Sequence, residues 1–322
     1  MTAPHEPVMV DRVVDLLAVP GDTPAVLVDA TVGAAGHAAA LLAASGPATT
    51  LVAFDRDPDA LALAGRRLAA YGERVHLVHA GYDELSAHLT PILARRGPLL
   101  GVLYDLGVSS MQIDRPERGF SFRSPAPLDM RMDPTAPLTA ADLVNSTPGD
   151  ELAGLIRRYG EERHARRIAR AIARARPLTT TTELAEVVAA AVPAQARHTR
   201  VDPATRTFQA LRIAVNDELG RFGASLPQAL DLTAPPAAEH RGGRVAVLSY
   251  HSLEDRIAKR LLTDAATGCI CPPDLPVCGC GRVPRFRLLV RGVERPSPPE
   301  LARNPRARSA KLRAAEKLPE SE

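Results

Sequence analysis

The chain has 322 residues, of which 45% are hydrophobic and 24% are charged, a composition typical of a soluble globular protein with one large or two modest domains. Its formal net charge of +3 is too small to indicate a nucleic-acid partner by itself. No apolar stretch approaches the roughly 18 residues of a membrane helix, and residues 1–16 carry acids where a secretory signal has basic and then apolar residues. We therefore predict a cytoplasmic protein without a membrane partner.

The first hundred residues alternate between short apolar runs and segments with a helical pattern. The predicted strands lie at 26–32, 50–55, 74–79 and 100–105, and the predicted helices lie at 37–45, 57–70 and 83–95. The apolar runs are nearly continuous, as expected for parallel strands that are covered on both faces. This pattern predicts half of a doubly wound α/β sheet, and so a Rossmann-like fold.

The alternation stops near residue 109, and a long segment without strand-like runs follows. A proline-spaced loop at 115–137 precedes predicted helices at 139–145, 148–159, 161–175 and 181–191, and strand patterns return at 244–250, 285–290 and 309–315. The simplest interpretation is one discontinuous α/β domain, residues 1–112 and 212–322, interrupted by an α-helical insert, residues 113–211. The alternative is an independent second domain followed by a third.

The first predicted strand ends in a glycine turn, Gly33-Ala-Ala-Gly36, and the second ends at Asp55. Glycines let the backbone approach a ligand closely, and an acid after the second strand can accept hydrogen bonds from a ribose diol. A nicotinamide dinucleotide site would have a third glycine, which this turn lacks. The turn therefore favours an adenosine ligand without phosphates, S-adenosylmethionine.

Polar residues also follow the other predicted strands, and the carboxyl ends of parallel strands meet at one edge of a sheet. Asp29 suits the ammonium group of S-adenosylmethionine. Tyr82 could lie against a purine ring, and Asp83 could accept from its exocyclic amine. Each residue also has a purely structural interpretation, since Asp55 could cap a helix and Tyr82 could be a packing residue.

Sequence blocks along nearly the whole chain resemble those of a known family, the bacterial small-subunit ribosomal RNA cytosine-N4 methyltransferases of the MraW type. The blocks are HEPVM at 5–9, GAAGH at 33–37, FDRD at 54–57, DLGVSS at 105–110, RGFSF at 118–122, LDMRMD at 128–133, YGEER at 159–163, TRTFQALR at 205–212, YHSLEDR at 250–256 and NPRARS at 304–309.

The resemblance implies S-adenosylmethionine-dependent methylation of the exocyclic N4 amine of a cytidine in the decoding region of 16S ribosomal RNA. The implied partner is 16S rRNA within the small ribosomal subunit, and the chain could act as a monomer or a homodimer. The predicted cofactor contacts are Gly33 of the turn and the residues carried over from the family, Ala35, Gly36, His37, Asp55, Tyr82, Asp105 and Gln112. The family usually has glycine where this chain has Ala35, a departure that adds about 1 kcal/mol if φ is positive there.

The amine of cytosine is a weak nucleophile, so methyl transfer needs accurate positioning and a polar group that accepts an N–H. We predict Asp105 and His251 as catalytic residues. Each has a plainer alternative, because Asp105 could only hold the cofactor and His251 could be a structural hydrogen-bonding residue. The chain has few rings to hold a flipped base, and the candidates are Phe120, Phe122 and Tyr250.

The segment from Glu161 to Arg176 predicts a helix with a basic face. At about 100° per residue its arginines fall within an arc of roughly 100°, opposite an apolar face. Because guanidinium groups bind phosphates, we predict RNA contacts at Arg163, Arg166, Arg167, Arg170 and Arg174. A second basic run at 303–313 could extend this contact, and an ordinary solvated helix face is the alternative.

All four cysteines lie in two Cys-x-Cys pairs, Cys269, Cys271, Cys278 and Cys280. In a cytosolic protein such close pairs indicate four thiolate ligands of a zinc ion rather than disulfides, but the spacing differs from the usual Cys-x-x-Cys. Zinc binding and free thiols both stay open, and the predicted site residues include no metal ligand.

Two other functions are compatible with parts of the sequence. One is a catalytically inactive RNA-binding factor in ribosome assembly that has the same fold, and Asp55 and Asp105 argue against it because both acids are in place. The other is an NAD-dependent oxidoreductase, against which the glycine turn argues.

Overall fold

A seven-stranded sheet dominates the first of two compact units into which the chain folds. The computed structural model describes residues 6–193, 202–272 and 278–320. The first unit combines Met1–Gly107 with Leu219–Glu322, and the second is Val108–Glu218. No helix in these described ranges is both long and apolar enough to cross a lipid bilayer.

The strands of the sheet lie where the apolar runs predict them, with ends shifted by a few residues. They are β1 (Ala25–Asp29), β2 (Thr49–Asp55), β3 (Val75–His79), β4 (Leu99–Asp105), β5 (Arg244–Ser249), β6 (Phe286–Leu288) and β7 (Lys311–Lys317). Their order is β3-β2-β1-β4-β5-β7-β6, and β7 runs antiparallel to both of its neighbours. The neighbouring pairs from β3 to β5 are parallel. The Rossmann-like α/β fold class is thereby confirmed.

The described helices follow the strands or form the second unit. In chain order they are α1 (Val10–Leu17), α2 (Gly36–Ala44), α3 (Pro58–Leu68), α4 (Leu85–Arg96), α5 (Ser110–Asp114), α6 (Ala140–Ser146), α7 (Gly149–Gly160), α8 (Ala165–Ala175), α9 (Thr181–Ala191), α10 (Thr205–Asn216), α11 (Glu218–Leu232), α12 (Ser252–Ala266) and α13 (Pro298–Arg303). Helices α5 to α10 belong to the second unit.

Both faces of the sheet are apolar, because side chains alternate along each strand. On one face Leu27 of β1 packs with Leu41 and Leu51, and on the other face Val28 packs with Phe54. The interior strands therefore hold no exposed polar positions along their length, and the polar side chains of the site are found where the strands end.

The second unit has its own core, formed between its helices by side chains such as Ile156, Ile168 and Leu184. Helix α8 begins at Ala165, later than the sequence pattern predicts, because Glu161 adopts a left-handed conformation (φ 50°) that ends α7. Arg163 consequently lies in the turn before α8 rather than on the helix.

Candidate functional site

The carboxyl ends of β1 and β4 are joined by Thr31, a residue that the sequence patterns do not single out. The backbone N–H of Thr31 donates to Oδ1 of Asp29 (3.1 Å), and the Thr31 hydroxyl oxygen accepts from the backbone N–H of Asp105 (2.8 Å). These bonds fix the backbone of Asp105 relative to the glycine turn that follows β1.

Asp55 joins the glycine turn to the end of β2. Its Oδ2 accepts from the N–H of Gly33 (2.9 Å), and its Oδ1 accepts from the N–H of Asp57 (2.9 Å). Burial raises the pKa of Asp55, although these two backbone bonds act in the opposite direction. A carboxylate oxygen can accept two hydrogen bonds, so both oxygens keep capacity for a ligand hydroxyl. The residue that caps α3 is Asp57 rather than Asp55, since Oδ1 of Asp57 accepts from the backbone N–H of Asp59 at the start of this helix (3.1 Å).

The amino terminus of α2 faces the same strand ends without a side-chain cap. Its N-cap residue is Ala35, which has φ 58° and a methyl side chain that cannot accept a hydrogen bond. The first N–H groups of a helix have no partner within the helix, so they are suited to a ligand carboxylate such as that of S-adenosylmethionine. Gly33, at φ 48°, also adopts the left-handed conformation in this turn.

Gly36 is required by the packing of the protein itself, because a Cβ there would clash with Cγ of Pro7, and its contact with the cofactor stays a prediction. We expect Gly36→Ala to lower the free energy of unfolding by about 1–3 kcal/mol through overpacking. We expect Ala35→Gly to change it by less than about 1 kcal/mol, since relief of left-handed strain offsets the lost methyl burial and the added chain entropy. Urea denaturation of both variants measures these free energies. A Gly36→Ala variant as stable as the wild type would contradict the prediction.

The carboxylate of Asp105 is held by two side chains. The hydroxyl of Tyr250 donates to its Oδ1 (2.7 Å), and Nδ1 of His37 lies 3.5 Å from its Oδ2. The other ring nitrogen of His37, Nε2, donates to the backbone oxygen of Val8 (2.8 Å). Burial and the negative charge of Asp105 raise the pKa of the Tyr250 phenol well above its ordinary value, so this hydroxyl remains a donor. Asp105 is only partly buried, which leaves its carboxylate accessible to a ligand.

Asp29 does not meet a ligand ammonium as the sequence led us to expect. Its residue is 1% exposed, so its carboxylate offers no surface to a bound molecule. Burial raises its pKa to about 7, against the lowering effects of His37 and the Thr31 N–H. Asp29 is a positioning residue for the turn, and it is close to half protonated at neutral pH.

Asp29→Asn should stabilise the protein more at high pH than at low pH. Because the native pKa of about 7 exceeds the unfolded value of 3.8, the native state binds the extra proton between these values, and wild-type stability falls as pH rises through them. Asparagine removes this dependence, so we expect a gain in unfolding free energy on the order of 2–4 kcal/mol at pH 8 that shrinks toward pH 4. Urea denaturation between pH 4 and pH 8 measures this gain, and Asp22→Asn, a change at an exposed acid, is the control. A stability difference between Asp29→Asn and the wild type that does not change with pH would contradict the prediction.

The residues after β3 are held by helix α11. Asp83 forms an ion pair with Arg221 (Nη1 to Oδ1, 2.9 Å), and its contact with an adenine amine stays a prediction. Tyr82 is half-buried and packs edge-on against Tyr104, with 5.9 Å between ring centroids, while its backbone oxygen accepts from Ser225. The structure therefore gives Tyr82 a packing contact, and its contact with a purine stays a prediction.

His251 is the N-cap residue of α12. Its Nδ1 accepts from the backbone N–H of Glu254 (3.4 Å), and the Glu254 carboxylate accepts in return from the N–H groups of Tyr250 (2.9 Å) and His251 (3.3 Å). This reciprocal capping box occupies the nitrogen that a proton acceptor would need. The arrangement matches the structural alternative, and it also fixes the backbone of Tyr250 beside Asp105.

The remaining predicted residues lie in the second unit. Gln112 is buried, and its Oε1 accepts from the N–H of Ser109 (3.1 Å) in a capping box at the start of α5. Phe122 packs against Phe208, with 4.7 Å between ring centroids, and Phe120 packs against the same helical core. Both rings are partly buried against this core, and their role as holders of a flipped base stays a prediction.

The arginines chosen as RNA contacts are exposed, namely Arg163, Arg166, Arg167, Arg170 and Arg174. Ile168 and Ile172 on the opposite face of α8 are fully buried, as the amphipathic pattern predicts. The second basic run is less available, because Arg313 pairs with Asp255 (2.7 Å) and Arg303 pairs with Glu6 (3.3 Å).

A sheet that is parallel from β3 to β5, with a glycine turn after β1 and acids at the ends of β1, β2 and β4, is typical of S-adenosylmethionine-dependent methyltransferases. Within that class, the chain belongs to the MraW methylase family, whose sequence model matches residues 2–318. Enzymes of this family use S-adenosylmethionine as the methyl donor. The family resemblance and the enzyme class expected from the sequence are thereby confirmed.

Relatives of the chain are similar over nearly their full length. Ribosomal RNA small subunit methyltransferase H of Acidothermus cellulolyticus is 53% identical, over 98% of this chain and 94% of the relative. The protein with the same name from Heliobacterium modesticaldum is 48% identical, over 98% of both chains. A solved rRNA methylase from Streptococcus thermophilus aligns over 98% of this chain and 99% of its own, with a TM-score of 0.41 at 14% identity, which is too remote to carry detail.

Proposed function

We propose that this methylase transfers a methyl group to the exocyclic N4 amine of a cytidine in the decoding region of 16S rRNA, within the small ribosomal subunit. The observation that carries the proposal is the Asp105 carboxylate, fixed by Tyr250 and Thr31 beside the glycine turn. The names of the relatives in Acidothermus and Heliobacterium support the rRNA substrate, and we propose that the enzyme acts on it in the cytoplasm.

The cofactor would be held by groups already described. Asp55 would accept from the ribose hydroxyls, and the uncapped amino terminus of α2 would bind the carboxylate. His37 and Gly33 would shape the turn around it, while Tyr82 and Gln112 remain predicted contacts. The bound sulfonium supplies the electrophilic methyl group.

Asp105 then acts on the nucleophile. Its Oδ1 accepts from the Tyr250 hydroxyl and its Oδ2 lies beside Nδ1 of His37, and since each oxygen can accept two hydrogen bonds, one of them would accept an N–H of the cytosine amine. Accepting this bond keeps the nitrogen lone pair directed at the methyl carbon, and methylation makes the amine acidic, so that the same oxygen takes the proton. Positioning by Tyr250 and Thr31 supplies much of the rate.

The helical unit would contact the RNA. We propose that residues 113–211 are an RNA-recognition insert and that the exposed arginines of α8, together with Arg163, bind phosphates. A catalytically inactive assembly factor would also use such a surface, but it has no need for the fixed carboxylate of Asp105.

Two substitutions at His251 distinguish a helix-capping role from a role as proton acceptor. Because the Oδ1 of asparagine can accept the Glu254 N–H, we expect His251→Asn to keep kcat within about 3-fold, and we expect His251→Ala to lower the unfolding free energy by about 1 kcal/mol. Methylation assays and urea denaturation measure the two effects. A 100-fold lower kcat in a folded His251→Asn variant would instead assign His251 to proton transfer.

The proposed substrate is tested by mass spectrometry of nucleosides from 16S rRNA. A deletion strain should lack N4-methylation at one cytidine, the wild-type gene should restore it, and a gene carrying Asp105→Ala should not. Unchanged N4-methylcytidine in the deletion strain would refute the proposed function, and full restoration by Asp105→Ala would favour the inactive assembly factor.

A further inference from the structure

The four cysteines meet in the segment between α12 and β6, away from the strand ends that form the candidate site. Their sulfur atoms cluster, with all four Sγ atoms within 4.8 Å of one another. The measured separations are 3.3 Å for Cys269–Cys278, 3.5 Å for Cys278–Cys280, 3.8 Å for Cys280–Cys269 and 4.0 Å for Cys271–Cys278.

These separations are wrong for disulfides and right for ligands of one metal ion. A disulfide places its sulfurs about 2.0 Å apart. In a tetrahedral zinc site, with Zn–S bonds of about 2.3 Å, neighbouring sulfurs lie about 3.8 Å apart. The observed values bracket this edge length, so little rearrangement is needed to place an ion at the centre.

Backbone N–H groups point at sulfur atoms of the cluster. The sulfur of Cys280 accepts from the backbone N–H groups of Arg282 and Ile270. Gly281, at φ 58°, makes the turn that brings the Arg282 N–H back toward this sulfur. Cys269 likewise accepts from the N–H of Cys271 (3.4 Å). Metals bind the thiolate rather than the thiol, so these N–H groups favour metal binding as well.

The ends of the segment are anchored to the first unit. The guanidinium of Arg282 pairs with Asp264 of α12 (2.6 Å), and the N–H of Arg285 donates to the backbone oxygen of Ala265 (2.9 Å). Among the described residues near the cluster, Cys269, Cys278 and Cys280 are exposed and Ile270 is 61% exposed, so apolar burial does not hold the four sulfurs together. A crosslink through a metal ion would supply the missing constraint.

We propose that Cys269, Cys271, Cys278 and Cys280 bind one zinc ion through four thiolates. Four protein ligands leave no open position for water or substrate, so the site is structural, and soft sulfur ligands select zinc over magnesium or calcium. Its role is to fix the connection from α12 to β6, which lies at the edge of the sheet.

The test is metal analysis of the full chain, purified in reducing buffer without chelator. We expect about one zinc ion per chain in the wild type, and none in the variant with all four cysteines changed to serine. Ile270→Ser, a change at an exposed position between two of the ligands, is the matched control and should keep the zinc. After exchange of zinc for cobalt, the wild type should show thiolate-to-cobalt charge-transfer bands and the visible bands of tetrahedral Co(II).

These readouts do not depend on methylation, so failure here would leave the proposed substrate untouched. Four freely titratable thiols in a wild-type protein that has been incubated with zinc and dialysed would overturn the proposal, as would zinc retained by the four-serine variant. If that variant does not fold, the cobalt spectrum of the wild type decides, and absence of tetrahedral thiolate bands refutes the site.

Discussion

Replacing Asp105 by asparagine should lower kcat for methyl transfer by about 10²- to 10³-fold. Asparagine fills the same volume, but its neutral amide cannot take the proton that the cytosine amine gives up. Because the cofactor is held largely by Asp55 and α2, we expect the affinity for S-adenosylhomocysteine to change by less than about 10-fold. Single-turnover kinetics on small-subunit particles measures the first quantity, and calorimetry measures the second.

Two further variants are compared with Asp105→Asn, one with a smaller expected effect on kcat and one as a control. Tyr250→Phe removes the hydroxyl that donates to Asp105 and should lower kcat by about 10-fold, since one hydrogen bond to a charged group is lost. Asp231→Asn changes an exposed acid that pairs with Arg285 on the surface and should leave kcat unchanged. A wild-type rate in folded Asp105→Asn would mean that the carboxylate only helps to hold the cofactor.

Replacing Asp55 by alanine is expected to weaken binding of S-adenosylhomocysteine by about 100-fold or more. The change removes the acceptor for the ribose and also leaves the N–H groups of Gly33 and Asp57 without their carboxylate partner, so the turn loses its shape. Each charged hydrogen bond contributes about 1.5–3 kcal/mol, and 1.4 kcal/mol corresponds to a tenfold change in affinity. Calorimetry at neutral pH measures the loss.

Asp55→Asn is expected to have an intermediate effect on the affinity for S-adenosylhomocysteine. It keeps one oxygen acceptor, so its affinity should fall between those of the wild type and the alanine variant. Thermal unfolding without ligand should show lower stability for Asp55→Ala than for Asp55→Asn, because alanine leaves both N–H groups without an acceptor. Equal affinity in wild type and Asp55→Ala would remove Asp55 from the cofactor site.

Strands β1, β2, β4 and β5 could be predicted from sequence because each is a short buried apolar run that ends in a polar residue. The helices were harder to predict. Helix α11 carries Pro227 in its interior, and α1 has only eight residues, so neither stands out as a long periodic segment. The late start of α8 depends on the conformation of one residue, Glu161, which side-chain periodicity does not record.

The site was predictable only in part, for a related reason. The positions of Asp55 and Asp105 follow from strand ends, but their partners come from distant parts of the chain. Arg221 is 138 residues from Asp83, and Tyr250 is 145 residues from Asp105. Local pattern carries no information about such pairs. The capping role of His251 had a local signal, since Glu254 follows at the spacing of a capping box.

The contact between His37 and the backbone oxygen of Val8 has a practical consequence for handling the enzyme. Pro7 lies against Gly36, and the N–H of Met9 donates to Glu300 of α13 (2.6 Å), so residues 7–9 are held against α2 and α13. Proteolytic trimming or a bulky affinity tag at the beginning of the polypeptide would loosen the imidazole beside Asp105. Purification handles belong at the opposite terminus.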